Sequence, residues 1–164
     1  MHQTLKLVKL FEDVRLPVKQ NSTDSGFDLY AYSFKKYYQN EKVIENEQFK
    51  DIDSIQIACN DRVLIGTGIK ATVGPGFEIQ IRSRSGLALK QGLIVLNSPG
   101  TIDCTYLDEI GIILVNLSNK IQTITLGDRI AQMVVCPVIL PEIDVVLELI
   151  GDNRGGGFGH TGQK

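Results

Sequence analysis

Apolar residues run along the chain in short bursts that partly alternate with polar ones. TLKLVKL near the start, SIQIAC, RVLIGTGIKATV, FEIQIRSR, EIGIILVNL, KIQTITL, RIAQMVVCPVIL and IDVVLELI are rich in Val, Ile and Leu. A period near two puts successive side chains on opposite faces of an extended chain, so each burst predicts a β-strand. Turn residues punctuate them at Gly74-Pro75-Gly76, Asn97-Ser98-Pro99-Gly100, Asn119 and Gly127-Asp128. Many short strands at such spacing predict an all-β sandwich, jelly roll or barrel. One segment, SGLALKQG, predicts a short helix with Ser85 as its cap and Gly92 as its end.

Residues 33–53, SFKKYYQNEKVIENEQFKDID, break this rhythm. They are more polar, lack a clean period, and read as an insertion or long loop on the scaffold. Lys35, Lys36, Tyr37 and Tyr38 could stack on single-stranded nucleic acid, but a solvated loop face accounts for them better.

Length and charge narrow the field. At 164 residues the chain fits one domain with a real core. Its 17 Lys+Arg against 19 Asp+Glu form no basic block of the kind that binds nucleic acid or an anionic membrane. Cys59, Cys104 and Cys136 are odd in number and unpaired in pattern, as expected of reduced thiols. No apolar run has signal-peptide or membrane-span length, so a soluble, cytoplasmic protein is expected.

Chemistry concentrates in five stretches: DSGFDLYAY, RSRSGLALKQG, NSPGTIDCTYLDE, GDRIAQM and RGGGFGHTGQK. Asp24 and Asp28 around Gly26 read as turn formers. Arg84, Ser85 and Gly86 open the helix with a guanidinium, a hydroxyl and free amides, a set suited to phosphate or equally to an ordinary helix start. Asp103 stands near Asn97 and Tyr106. Gln132 follows the tight turn at Gly127-Asp128-Arg129. The terminal stretch is either slack chain or an arm that orders over an anion, with Arg154 adding charge and Phe158 a flat face. It is no P-loop, because no GK[ST] and no helix follow it, and a dinucleotide fingerprint is absent too.

In this order the five stretches resemble the motifs of the trimeric dUTPases, the deoxyuridine triphosphate pyrophosphatases. Gly26, Phe27, Asp28 and Leu29 match the first motif, and Ser83 to Ala88 match the second with Ser83 in place of proline. Asn97, Gly100, Ile102, Asp103, Tyr106 and Glu109 match the third. Gly127 to Gln132 match the fourth, and Arg154 to Gly162 the fifth. The resemblance spans nearly the whole chain.

It implies a jelly-roll-like β fold with one short helix over residues 1–150, a C-terminal arm over 151–164, and a homotrimer with shared active sites. It also implies hydrolysis of dUTP to dUMP and pyrophosphate with Mg²⁺, a cation that binds phosphate oxygens while keeping its waters. By similarity Asp103 is the general base that activates water for attack on the α-phosphorus. Arg84, Ser85, Gly86, Gln132, Arg154, His160 and Thr161 would hold phosphate oxygens. Asn97, Gly100, Ile102, Tyr106, Phe158 and Gly159 would hold uracil and deoxyribose, with Tyr106 against the sugar. Asp28 would support a metal-bound water or the pocket floor. The rival readings are a dCTP deaminase-like enzyme of the same fold and a trimeric nucleotide-binding regulator acting through a partner. Departures from the family pattern are the three glycines between Arg154 and Phe158, His160 where serine is common, and Leu107-Asp108 for an Arg-Gly pair.

Overall fold

A computed structural model describes residues 4–39, 42–153 and 155. Twelve strands and one short helix make up the regular structure: β1 (Lys6–Lys9), β2 (Phe27–Tyr30), β3 (Ser33–Gln39), β4 (Lys42–Glu45), β5 (Ser54–Ile57), β6 (Arg62–Thr72), β7 (Phe77–Arg82), α1 (Ser85–Gln91), β8 (Leu93–Val95), β9 (Gly100–Ile102), β10 (Glu109–Asn116), β11 (Gln122–Thr125) and β12 (Arg129–Pro137). They form a six-stranded sheet running β4-β3-β6-β10-β8 with β1 also on β6, a four-stranded sheet β2-β12-β7-β9, and a small pair β11-β5. The all-β class with one short helix matches the sequence expectation.

One apolar core fills the space between the sheets, and alternation decides which residues enter it. On β10, Ile110, Ile112 and Leu114 point inward, and Ile55, Ile57 and Ile124 do the same in the small pair. Each fully buried Ile or Leu contributes about 1.5–3 kcal/mol. β6 is buried along nearly its whole length because strands flank it on both edges.

β6 changes partner at Gly68. Residues 62–66 pair with β3, whereas 69–72 pair with β1, and the register against β10 slips between Glu109 and Gly111. Gly68 has φ 69°, and a Cβ there would lie 2.5 Å from Val14 Cγ2. The polar groups released by the slip are taken up locally: the Gly68 amide donates to Glu109 Oε1 at 2.8 Å, and the Thr67 hydroxyl donates to the Ile110 carbonyl at 2.8 Å. A bulge of this kind survives only when its loose donors and acceptors find such partners.

Two expectations are corrected. Residues 33–53 are not a loop: β3 is an internal strand of the large sheet, paired with β4 and β6, and a 3-10 turn follows at Asn46–Phe49. Phe34 and Tyr37 are its buried residues, three apart, because a bulge between Phe34 and Lys36 breaks the period of two. In the other direction, IDVVLELI forms no strand, and among the described residues regular structure ends with β12 at Pro137. Ile143, Val145, Leu147, Leu149 and Ile150 are at least 90% exposed. A strand needs a neighbour to bond to, and this segment has none among the described residues.

Cys59, Cys104 and Cys136 are free thiols. No helix among the described residues is long and apolar enough to cross a membrane.

Candidate active site

Asp28 is the centre of the first cluster. Its β2 backbone lies against Gln132 of β12, which in turn lies opposite Arg82 of β7, just before Arg84. The Asp28 side chain is buried, and its two oxygens accept four hydrogen bonds. Oδ1 accepts from Arg84 Nε at 3.2 Å and Gln132 Nε2 at 3.3 Å, and Oδ2 from Gln20 Nε2 and Arg129 Nη1, each at 3.0 Å. A buried carboxylate is tolerated only when charge and lone pairs are met in this way. Two guanidiniums for one carboxylate leave the cluster with an excess positive charge, which suits an anion.

Arg84 is held at two points. Besides Nε on Asp28, its Nη1 donates to the carbonyl of Arg129 at 2.9 Å, which fixes the guanidinium plane. Arg84 is also the N-cap of α1, and its carbonyl accepts the first helical bond from Ala88. The expectation that Ser85 caps the helix is corrected: Ser85 is the first helical residue, and no side chain caps this end. Ser85 and Gly86 are exposed there, while Gly92 ends the helix in the left-handed region at φ 66°, as expected. Ser83, in the position of the motif proline, accepts the Val95 amide at 2.9 Å on its hydroxyl, a bond proline has no means to make.

The second cluster lies on β9 and the turn that follows it. β9 pairs with β7 so that Gly100 faces Ile81 and Ile102 faces Ile79. A Cβ on Gly100 would lie 3.2 Å from Ile81 Cβ and 3.3 Å from Asn97 Nδ2, so glycine lets the Asn97 amide pack over this position. Asp103 follows, exposed, and its carbonyl accepts the Tyr106 amide at 3.0 Å in a tight turn. The Tyr106 hydroxyl donates to the Glu109 carbonyl at 2.9 Å, which pins the ring.

The structure therefore joins Asp28, Arg84 and Gln132 in one place, and Asn97, Gly100, Ile102, Asp103 and Tyr106 in another. Asp103 stands beyond the Ile79 end of β7 and Arg84 beyond the Arg82 end, so the register separates them by roughly 15–20 Å along the sheet. Their surroundings differ accordingly. Arg84 and Arg129 line a cleft of about 210 Å³ with Leu87, Gln91 and Asp128. Tyr106 lines another of about 450 Å³ with Lys35, Lys36 and Glu109 on the large sheet. A third cleft of about 390 Å³, around Asp13, Arg15, Tyr30 and Tyr32, contains none of the expected residues. Arg154, Phe158, Gly159, His160 and Thr161 lie outside the described residues.

Two participants escaped sequence reasoning. Gln20 precedes the first motif and carries no pattern of its own, and it reaches Asp28 because the Val18–Asp28 bridge folds its loop over β2. Arg129 reads as part of a turn and of the fourth motif without a role of its own, although its place three residues before Gln132 puts it on the same strand. No group of three or more His, Cys, Asp or Glu able to hold a metal occurs among the described residues.

Comparisons with known proteins agree with this architecture. The dUTPase family model matches residues 51–162. A deoxyuridine 5'-triphosphate nucleotidohydrolase of Picosynechococcus is 44% identical over 159 residues, covering 96% of this chain and 98% of that protein. One from Hydrogenobaculum is 45% identical over 161 residues, with 98% and 99% covered. Among solved structures, a dUTPase of Staphylococcus bacteriophage 80alpha with dUpNHpp superposes with a TM-score of 0.75 at 22% identity, covering 97% of this chain and 98% of that one. A dUTPase from phage phi11 of S. aureus, in a structure that describes the coordination of a structural Mg(II) ion, gives 0.69 at 22% identity, with 90% and 99% covered. On the family match and on relatives of this identity and coverage, the chain belongs to the dUTPase family.

Proposed function

We propose that the chain hydrolyses dUTP to dUMP and pyrophosphate in active sites completed by three copies of itself. The observation that carries the shared site is the separation within one chain of Asp103 from Arg84 and Gln132. A base must approach the atom it serves to within hydrogen-bond reach or through one water. A second copy supplying its β9 turn to the Asp28 cluster meets that need.

In such a site Asp103 accepts a proton from water as the water oxygen bonds to the α-phosphorus, and the bond from that phosphorus to the bridging oxygen breaks to release pyrophosphate. Arg84, Ser85, Gly86 and Gln132 take the phosphate oxygens, joined by Arg154, His160 and Thr161 from the C-terminal arm. Asn97 offers a donor and an acceptor to the uracil edge beside Gly100 and Ile102, and the Tyr106 ring covers the deoxyribose face. Phe158 and Gly159 close over the base.

Mg²⁺ suits this donor set in one way. Both oxygens of Asp28 already accept two bonds each, and no carboxylate cluster occurs among the described residues, so the cation is left to phosphate oxygens and water, with Asp28 contributing only through a water. Bound there, it would neutralise phosphate charge and help orient the triphosphate.

The homotrimer is also supported by the exposed apolar run 139–150, whose Ile139, Leu147 and Leu149 are at least 89% exposed. A run of this kind gains about 1.5–3 kcal/mol for each Leu or Ile it buries against another copy. Free thiols suit a reducing cytoplasm. The experiment is pyrophosphate release from dUTP, dCTP, UTP and dTTP with and without Mg²⁺. Turnover of dUTP alone, dependent on the metal, is the expected result. Ammonia from dCTP would replace the proposal with a deaminase.

A further inference from the structure

Arg129 approaches Asp28 from the side opposite Arg84. Arg129 Nη1 and Gln20 Nε2 both donate to Oδ2, whereas Arg84 reaches only Oδ1, through Nε. A guanidinium and a carboxylate left to themselves prefer two parallel bonds. Here the second oxygen is already taken, and Arg84 Nη1 turns instead to the Arg129 carbonyl at 2.9 Å. Among the described residues Arg84 Nη2 then has no hydrogen-bond partner, and the side chain keeps 22% of its surface exposed beside the cleft it lines.

We infer that Arg129 is a positioning residue for Arg84: with Gln20, it fills Asp28 Oδ2, and so prevents Arg84 from closing into a bidentate pair and keeps Nη2 available to an anionic substrate oxygen. The inference rests on the reading of Arg84 as a phosphate ligand. It assigns a role to two side chains that do not themselves need to touch the substrate. Without the Arg129 side chain, Oδ2 keeps only the Gln20 amide, and the single remaining guanidinium turns its second nitrogen inward. The protein still folds around a paired Asp28, but the clamp is spent on its own carboxylate.

The test is steady-state turnover of dUTP with Mg²⁺ by the full-length protein and its variants Arg84→Gln, Arg129→Gln, Arg129→Lys and the double Arg84→Gln/Arg129→Gln. Arg129→Gln should raise KM about tenfold with kcat within about twofold, the effect of losing one charge-assisted hydrogen bond to substrate. Arg84→Gln should raise KM at least as far, the double variant should be no worse than Arg84→Gln alone, and Arg129→Lys should recover most of the loss. Additive losses in the double variant would make Arg129 a direct substrate ligand and overturn the inference. So would an unchanged KM in Arg129→Gln alongside a raised one in Arg84→Gln. An unchanged KM in Arg84→Gln would instead remove the reading of Arg84 itself. Should Arg129→Gln not fold, Gln20→Leu removes the other donor to the same oxygen; a KM raised about threefold supports the inference, and an unchanged one overturns it.

Discussion

The amide of Tyr106 donates to the carbonyl of Asp103 over 3.0 Å, so an exposed carboxylate and an aromatic ring stand at the two ends of one turn. Backbone geometry, and not side-chain packing, sets their spacing. Substitution of either side chain should therefore change chemistry while leaving the turn in place.

Asp103→Asn keeps the size and removes the proposed base. Turnover of dUTP should fall by about 10²-fold or more, the usual effect of a positioned general base, while dUTP affinity by calorimetry stays within about threefold. Retained turnover would remove Asp103 from the reaction.

Tyr106→Ala removes the ring proposed to cover the deoxyribose. The ratio of UTP to dUTP turnover should rise about tenfold or more, whereas Tyr106→Phe, which loses only the bond to the Glu109 carbonyl, should keep the discrimination. An unchanged ratio in the alanine variant would move sugar selection elsewhere.

Two truncations separate catalysis from assembly. Removing residues 154–164 should abolish most turnover and leave the mass of the proposed trimer unchanged by light scattering. Removing residues 139–164 takes away the exposed apolar run as well, and should lower the mass.

Gly68→Ala tests the partner change of β6. With φ at 69° and only 2.5 Å to Val14 Cγ2, the added methyl should cost about 1–3 kcal/mol or more in urea unfolding.

Tyr37 carries a pH signature. Burial raises its pKa above 10.0, the neighbouring Asp61 carboxylate adds to the rise, and its hydroxyl donates to Asp61 Oδ2 at 2.7 Å. As pH rises past about 10, the unfolded chain loses this proton before the folded one does, so stability declines from there up to the raised folded value. Tyr37→Phe should lose that part of the decline in alkaline thermal melts. At neutral pH it should cost about 1–3 kcal/mol, because Asp61 is left without its donor.

Strand patterning was legible wherever a strand has one buried and one open face, as in β5, β10 and β11, since burial then enforces alternation. β3 was misread because its bulge shifts the buried positions from two apart to three, which a period of two cannot represent. IDVVLELI was misread for the opposite reason: its composition asks for a partner strand, and composition does not say which chain supplies it. The proposed phosphate ligands were legible through their motifs. Gln20 lies outside every motif and Arg129, though inside the fourth, carried no assigned role, because what joins them is a shared bond to Asp28 that only folding creates.

The opposite ends of β7 have a further consequence. A chain carrying Asp103→Asn is intact at Arg84, and a chain carrying Arg84→Gln is intact at Asp103. If every site draws these residues from different copies, unfolding and refolding the two impaired proteins together restores a complete pair at about one site in four. At low dUTP the refolded mixture would then be more active than either variant alone.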